Sequence, residues 1–148
     1  MSPNRTPGGI TELFDSAKAA RERSYSRYSG FKVGAAIRLE DGRVYDGCNV
    51  ENSSYGGTVC AERVAIWKAV SENGPEPIRI KDVVVVTDAS PAWPPCGLCR
   101  QIIGEFAGKE TSIAAQNLKG EKRSWKFDEL FPDAFTPEHL EKSRPQKP

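Results

Sequence analysis

Charge of one sign is what this sequence most plainly lacks. Its 148 residues carry 21 Lys and Arg against 20 Asp and Glu, a formal net charge of +1. The two signs are intermixed along the chain, so no field builds up that could grip a phosphate backbone, and nucleic acid is not expected as a partner. Long apolar runs are missing too. The opening MSPNRTPGG has no hydrophobic stretch of the signal-peptide kind, and no segment approaches the length needed to span a bilayer. A cytoplasmic location and no membrane partner are the expectation. Cysteine is scarce, with four residues in all. Cytosolic thiols stay reduced, so these four are read as metal ligands, redox groups or core residues before disulfides. No internal repeat or low-complexity tract stands out.

What is there is an ordinary globular composition, 38% hydrophobic, in a length that suits one domain with a sizeable core. Residues 1–9 are rich in Pro, Gly and polar side chains and read as a flexible N-terminal arm. Residues 141–148, EKSRPQKP, read as a similar C-terminal tail, which leaves a domain over 10–140. Ile10, Leu13, Phe14, Ala17 and Ala20 recur at helical spacing, predicting a first helix that runs to about Arg27 and ends before Gly30. FKVGAAIRLE and RVYDGCNV flank Asp41-Gly42, which predicts two strands in a tight hairpin. After the loop ENSSYGG, Thr58 is the expected cap of a helix that ends near Asn73-Gly74. DVVVVTD reads as a strand buried on both faces, DASPAWPP as a loop and CGLCRQIIGEFA as a helix. TSIAAQN and RSWKFDEL read as two strands around Lys119-Gly120, and PDAFTPEHLEK supplies a last short helix. The order α, β, β, α, β, α, β, β, α implies an α/β fold with a mixed sheet and helices packed on it. The Lys119-Gly120 link is too short for a crossover, so the last two strands should pair antiparallel.

Two stretches, VCAERV from Val59 and PCGLCR from Pro95, place three cysteines beside predicted helix starts. Free N–H groups and the positive end of the dipole there favour thiolate over thiol, and thiolates bind zinc. Cys96 and Cys99 have metal-ligand spacing, and Cys60 can approach them if the two helices start side by side at one sheet edge. Three protein ligands leave a tetrahedral ion one position for water, and Glu62 would then be placed to shuttle its proton. Other readings fit the same residues. CxxC at a helix start is also a redox motif. A closed structural zinc site could take Cys48 as its fourth ligand, although Cys48 also suits a small buried hydrophobe on the second strand. Glu62 could be a first-turn acid and Arg63 a surface arginine. Phe31 and Phe135 could be core.

The blocks YSRYSGFKVGAA, GCNVENSSYGGTVCAERVAI, PCGLCRQIIGEF and ELFPDAFTPEHL resemble the small homotetrameric zinc-dependent cytidine deaminases in order and spacing, across most of the chain outside the two tails. The resemblance implies a three-layer α/β/α sandwich with a five-stranded mixed sheet, cytidine deaminase-like. It implies Zn2+ held by Cys60, Cys96 and Cys99, since the one histidine, His139, lies far from either motif. It further implies Glu62 as the catalytic proton shuttle and Arg63 as a hydrogen-bond partner of the zinc-bound thiolates. Asn49 and Glu51 match the pair that holds a ribose hydroxyl, and Phe31 the aromatic wall of the nucleoside pocket. Phe135 matches a residue that reaches a neighbouring subunit's site in a homotetramer. Tyr55 is open between loop packing and a pocket or interface role. The implied activity is hydrolytic deamination of cytidine and deoxycytidine in pyrimidine salvage; the alternative is another aminated pyrimidine nucleoside. Departures fall at Pro94, where serine is common, at Ser53, where alanine is common, and at Arg27, where proline is usual. With Trp93 before it, Pro94 bears on the shape of the pocket.

Overall fold

The computed structural model describes residues 9–143. The rest of the expected arm, and of the expected tail from residue 144, lies outside the described residues. Helix α1 (Ile10–Arg21) buries Leu13, Phe14, Ala17 and Ala20 of the expected stripe, while Ile10, at the helix start, is exposed. It stops well short of Arg27. The N–H groups of Glu22, Arg23 and Ser24 still bond back to Ala19, Ala20 and Arg21, but Tyr25 leaves to pair with the backbone of Asn49 and Glu51. Backbone pairing there replaces another helical turn, and Gly30 at φ +69 completes the loop.

Strands β1 (Gly34–Leu39) and β2 (Val44–Cys48) form the expected hairpin, followed by α2 (Ala61–Asn73), β3 (Ile80–Thr87), α3 (Gly97–Phe106), β4 (Ala107–Asn117) and β5 (Lys122–Lys126). One sheet results, in the order β2-β1-β3-β4-β5. β3 and β4 run parallel, and β4 and β5 antiparallel, as the short link required. RSWKFDEL is not all strand: α4 (Phe127–Leu130) takes its second half. There the Glu129 carboxylate accepts from the Lys126 N–H at 3.3 Å, and Phe127 is buried beneath Gly104. The last helix, α5 (Pro137–Ser143), continues across the boundary expected at Glu141.

The alternation of strand side chains builds three layers. On one face α1 packs Leu13, Phe14 and Ala17 against Ala36, Val84 and Val86. On the other, Ala65, Ile66 and Ala69 of α2, Ile103 of α3 and Phe127 of α4 cover Ile37, Val83 and Ile113. β3 is thus covered on both sides, which explains its continuous valines. No helix among the described residues is long and apolar enough to cross a membrane.

The topology also sets where α2 and α3 begin. β2 and β3 both run antiparallel to β1, so they end at the same sheet edge: Cys48 and Val86 both face Gly34. Gly47 then lets α2 lie directly on β2, because a Cβ there would come within 2.6 Å of the Ala61 oxygen and the Ala65 nitrogen.

Candidate active site

Val50 and Val59 exchange backbone hydrogen bonds of 3.0 and 2.9 Å, closing the loop between them. The chain is therefore still extended at Val59, and Cys60 rather than Thr58 becomes the N-cap of α2. The Thr58 hydroxyl instead accepts from the Asn52 N–H at 3.1 Å. Cys96 is the N-cap of α3, and Cys99 sits one turn in. Neither capping thiol bonds back to its own helix. They turn toward each other: the Cys60 and Cys96 sulfurs are 3.8 Å apart, and all three sulfurs lie within 4.8 Å of one another. Sulfurs bound at about 2.3 Å to a tetrahedral ion stand about 3.8 Å apart, so this donor set fits zinc in both chemistry and spacing. Cys48 stands apart from it. It pairs across the strand with Gly34, the glycine that α1 covers, and its sulfur donates to the Arg23 carbonyl at 3.4 Å. It is half-buried on the α1 face of the sheet, so it does not close the site.

Arg63 Nη2 donates to Cys60 Sγ at 3.4 Å and reaches the Thr58 carbonyl at 3.5 Å. The hydrogen bond from Cys99 holds the Cys60 thiol down to about 5, with Arg63 and Cys96 adding to it. Cys99, fully buried and the donor in that bond, is pushed up. Glu62 is only 3% exposed. Burial pushes its carboxyl up to about 7, and the negative charge of Cys60 adds to the effect. A carboxyl so placed gives and takes protons near neutral pH.

The loop end of the site is built differently. Asn49 is buried; its Oδ1 accepts from the Ser24 hydroxyl and from the Val33 N–H at 2.9 Å, and its Nδ2 donates to the Phe31 carbonyl at 2.8 Å. The Glu51 carboxylate accepts from the N–H groups of Tyr28 and Ser29 at 2.9 and 3.0 Å and from the Ser29 hydroxyl. The Ser29 hydroxyl and N–H, with the Tyr28 N–H, hold its carboxyl below the usual range. Phe31 is half-buried and stacks on Trp93 at 4.9 Å. The other two expected residues are exposed at the surface. Tyr55 stands 81% exposed in a one-turn 3-10 helix, Tyr55–Gly57. Phe135 is 54% exposed and stacks on His139, while its carbonyl accepts from Gln101 Nε2 of α3 at 2.8 Å.

Several residues escaped the sequence reading. Ser24 and Ser29 anchor Asn49 and Glu51. Arg100 donates to the Pro95 carbonyl at 2.9 Å and to the Leu130 carbonyl at 2.8 Å, tying the start of α3 to α4. Asn117 and Glu121 hold the loop before Cys96. Only Asn117 gave a signal, an amide placed where a strand meets a Lys-Gly turn.

The family pattern described as the cytidine and deoxycytidylate deaminase zinc-binding region matches residues 9–115. The chain is 44% identical to a cytidine deaminase of Sporosarcina psychrophila over 132 residues, 88% of this chain and 94% of that protein. The crystal structure of cytidine deaminase from Burkholderia pseudomallei superposes with a TM-score of 0.81 at 41% identity, covering 86% of this chain and all of that one. That of the Mycobacterium tuberculosis cytidine deaminase gives 0.73 at 38% identity, covering 86% and 98%. With the sheet order, the abutting helix starts and the three sulfurs all in place, this chain belongs to the zinc-binding cytidine deaminase family.

Proposed function

We propose that the protein hydrolyses cytidine and deoxycytidine to uridine and deoxyuridine with release of ammonia. Cys60, Cys96 and Cys99 would hold the zinc ion, and Glu62 would move the protons. The observation that carries this reading is a buried Glu62 beside three converging sulfurs at two abutting helix starts. When bound there, zinc supplies Lewis acidity and a water that ionises near neutral pH.

The remaining work falls to the chain. Glu62 takes a proton from the attacking water and gives it to ring nitrogen N3, which leaves C4 of the base electrophilic. The same carboxyl then takes the second proton from the oxygen now bonded to C4 and passes it to the departing amine. The C4–N bond breaks, the water's oxygen becomes the new carbonyl, and ammonia leaves. Arg63, bonded to Cys60, offsets part of the charge of three thiolates and so keeps the ion a stronger acid.

At the other end, one amide N–H of Asn49 and the remaining lone pairs of Glu51 suit a sugar hydroxyl, which both donates and accepts. Ribose and deoxyribose share the 3′-hydroxyl, so this pair does not discriminate between them. Phe31 forms the wall against the base. A homotetramer with sites at subunit interfaces is part of this reading, supported by the exposure of Tyr55 and Phe135 and by a mainly apolar groove of about 560 Å³ that Val50, Val59, Val64 and Trp67 line together with Lys68, Ser71 and Glu72. A cytoplasmic setting, which keeps the thiols reduced, completes the reading.

The test is incubation of zinc-loaded protein with each nucleoside, with uridine, deoxyuridine and ammonia as readouts and light scattering for the mass in solution. Comparable turnover of both nucleosides by a tetramer is expected. Failure to release ammonia from either one would overturn the assignment.

A further inference from the structure

We infer that Trp93 closes the pyrimidine pocket at the C5 edge of the base and so sets which 5-substituted cytosine nucleosides the enzyme accepts; this rests on the deamination proposed above. Trp93 is 52% exposed, so it contributes little to the core. Its backbone is nonetheless fixed. Asn117 Nδ2 donates to the Ala89 carbonyl at 3.1 Å, the Ser90 hydroxyl donates to the Glu121 carboxylate at 3.0 Å, and Arg123 Nη1 donates to the Ala92 carbonyl at 3.2 Å. Asn117 is itself pinned, its Oδ1 accepting from the N–H groups of Lys119 and Glu121 at 3.0 Å each. Ala92 is fully buried against Val85 and Ala115. The next residue projects the indole onto Phe31, with the ring centroids 4.9 Å apart and the planes 28° from parallel.

Phe31 is held as firmly. Its N–H donates to the Ser29 hydroxyl at 3.0 Å and its carbonyl accepts from Asn49. The stack therefore bridges two anchored loops across the sheet edge where β1 starts and β3 ends. One of those loops runs directly into Cys96.

The chemistry of the base gives the stack an edge to face. C4 is flanked by N3 on one side and C5 on the other. Glu62, which must meet N3, lies on the inner side of the sulfurs, beside Cys60 and the buried Cys99. Cys96 is the exposed sulfur, and it belongs to the segment that carries Trp93. With N3 toward Glu62, C5 turns toward that segment. A substituent there has to displace an indole whose backbone cannot yield.

The experiment compares kcat/KM for cytidine and 5-methylcytidine in the zinc-loaded wild type, Trp93→Ala and Trp93→Phe. The electronic effect of the methyl group on C4 is the same in every protein and cancels when the ratios are compared. The wild type should disfavour 5-methylcytidine by at least about 10-fold, the size of one crowded methyl group. Trp93→Ala should bring the two substrates within about threefold of each other, with Trp93→Phe between. Asn117→Ala, which frees the loop and leaves the indole intact, should move the ratio in the same direction by less. A ratio unchanged in Trp93→Ala, or a wild type indifferent to the methyl group, overturns the inference while cytidine turnover upholds the reaction. A shift in the ribose-to-deoxyribose ratio instead would place Trp93 at the sugar and also overturn it. Absence of cytidine turnover in all the proteins overturns the reaction and this inference with it.

Discussion

At one end of the site Cys60, Cys96 and Cys99 are placed largely by backbone, namely the shared end of β2 and β3, the Val50–Val59 pairing and the side-chain-free surface of Gly47, with the Arg100 side chain bracing the start of α3. At the other end Asn49, Glu51, Phe31 and Trp93 are placed by side-chain hydrogen bonds that pin loops. Backbone placement is insensitive to the chemistry of neighbouring side chains. Pinned loops depend on single polar groups, each of which costs about 1–3 kcal/mol when its partner is left unsatisfied. Damage to the first end should therefore remove the metal, while damage to the second should loosen substrate binding and stability with the metal retained.

The largest effect is expected from Cys99→Ala. Cys99 is fully buried among the sulfurs, and without it zinc retention and turnover should both be lost, read by metal analysis of the purified protein. Zinc held at full stoichiometry in this variant would contradict the ligand set. Arg63→Ala should follow, with a loss of about 10–100-fold in zinc affinity or activity. Its pH dependence has a definite sign. Arg63 helps hold the Cys60 thiol down, so removing it raises the pH at which protons displace the metal. An indicator dye titrated downward in pH should report zinc release earlier in the variant than in the wild type.

Asn49→Ala should be milder at the metal and clear elsewhere. It strips partners from the Phe31 carbonyl, the Val33 N–H and the Ser24 hydroxyl. A stability loss of about 1–3 kcal/mol and a raised KM with zinc still bound are expected from denaturant unfolding and steady-state kinetics. Zinc loss in this variant would erase the distinction between the two ends. Cys48→Ser should do least, within about 0.5 kcal/mol in stability and with zinc content unchanged, because its sulfur lies outside the three-cysteine cluster and its hydrogen bond to the Arg23 carbonyl is one a serine hydroxyl can also make.

The same contrast explains what the sequence could tell. The succession of the five strands, the antiparallel last pair and the approach of the three cysteines follow from periodicity, link length and ligand spacing, all local patterns, whereas the order β2-β1-β3-β4-β5 within the sheet did not. The C-terminus of α1 did not, because Tyr25 is drawn off the helix by the backbone of Asn49 and Glu51, far away in sequence. The cap of α2 shifted from Thr58 to Cys60 for a related reason: the Val50–Val59 pairing keeps the chain extended for one more residue. Phe127 was read as strand, but packing beneath Gly104 and the reach of Glu129 back to Lys126 turn it into a helix start. Ser24, Ser29 and the clamp on the loop before Cys96 join residues that are remote along the chain and polar in ways common to any surface. Tyr55 and Phe135 are exposed, and the roles proposed for them would need a neighbouring subunit, which no local pattern encodes.

The most direct test is release of ammonia from cytidine by wild type and Glu62→Gln at matched zinc content. Glutamine keeps the shape of the buried side chain and the three sulfurs but cannot carry a proton. Release by the wild type alone, with about one zinc in each protein, is the predicted result. Release by Glu62→Gln at a comparable rate would contradict the assignment of proton transfer to Glu62.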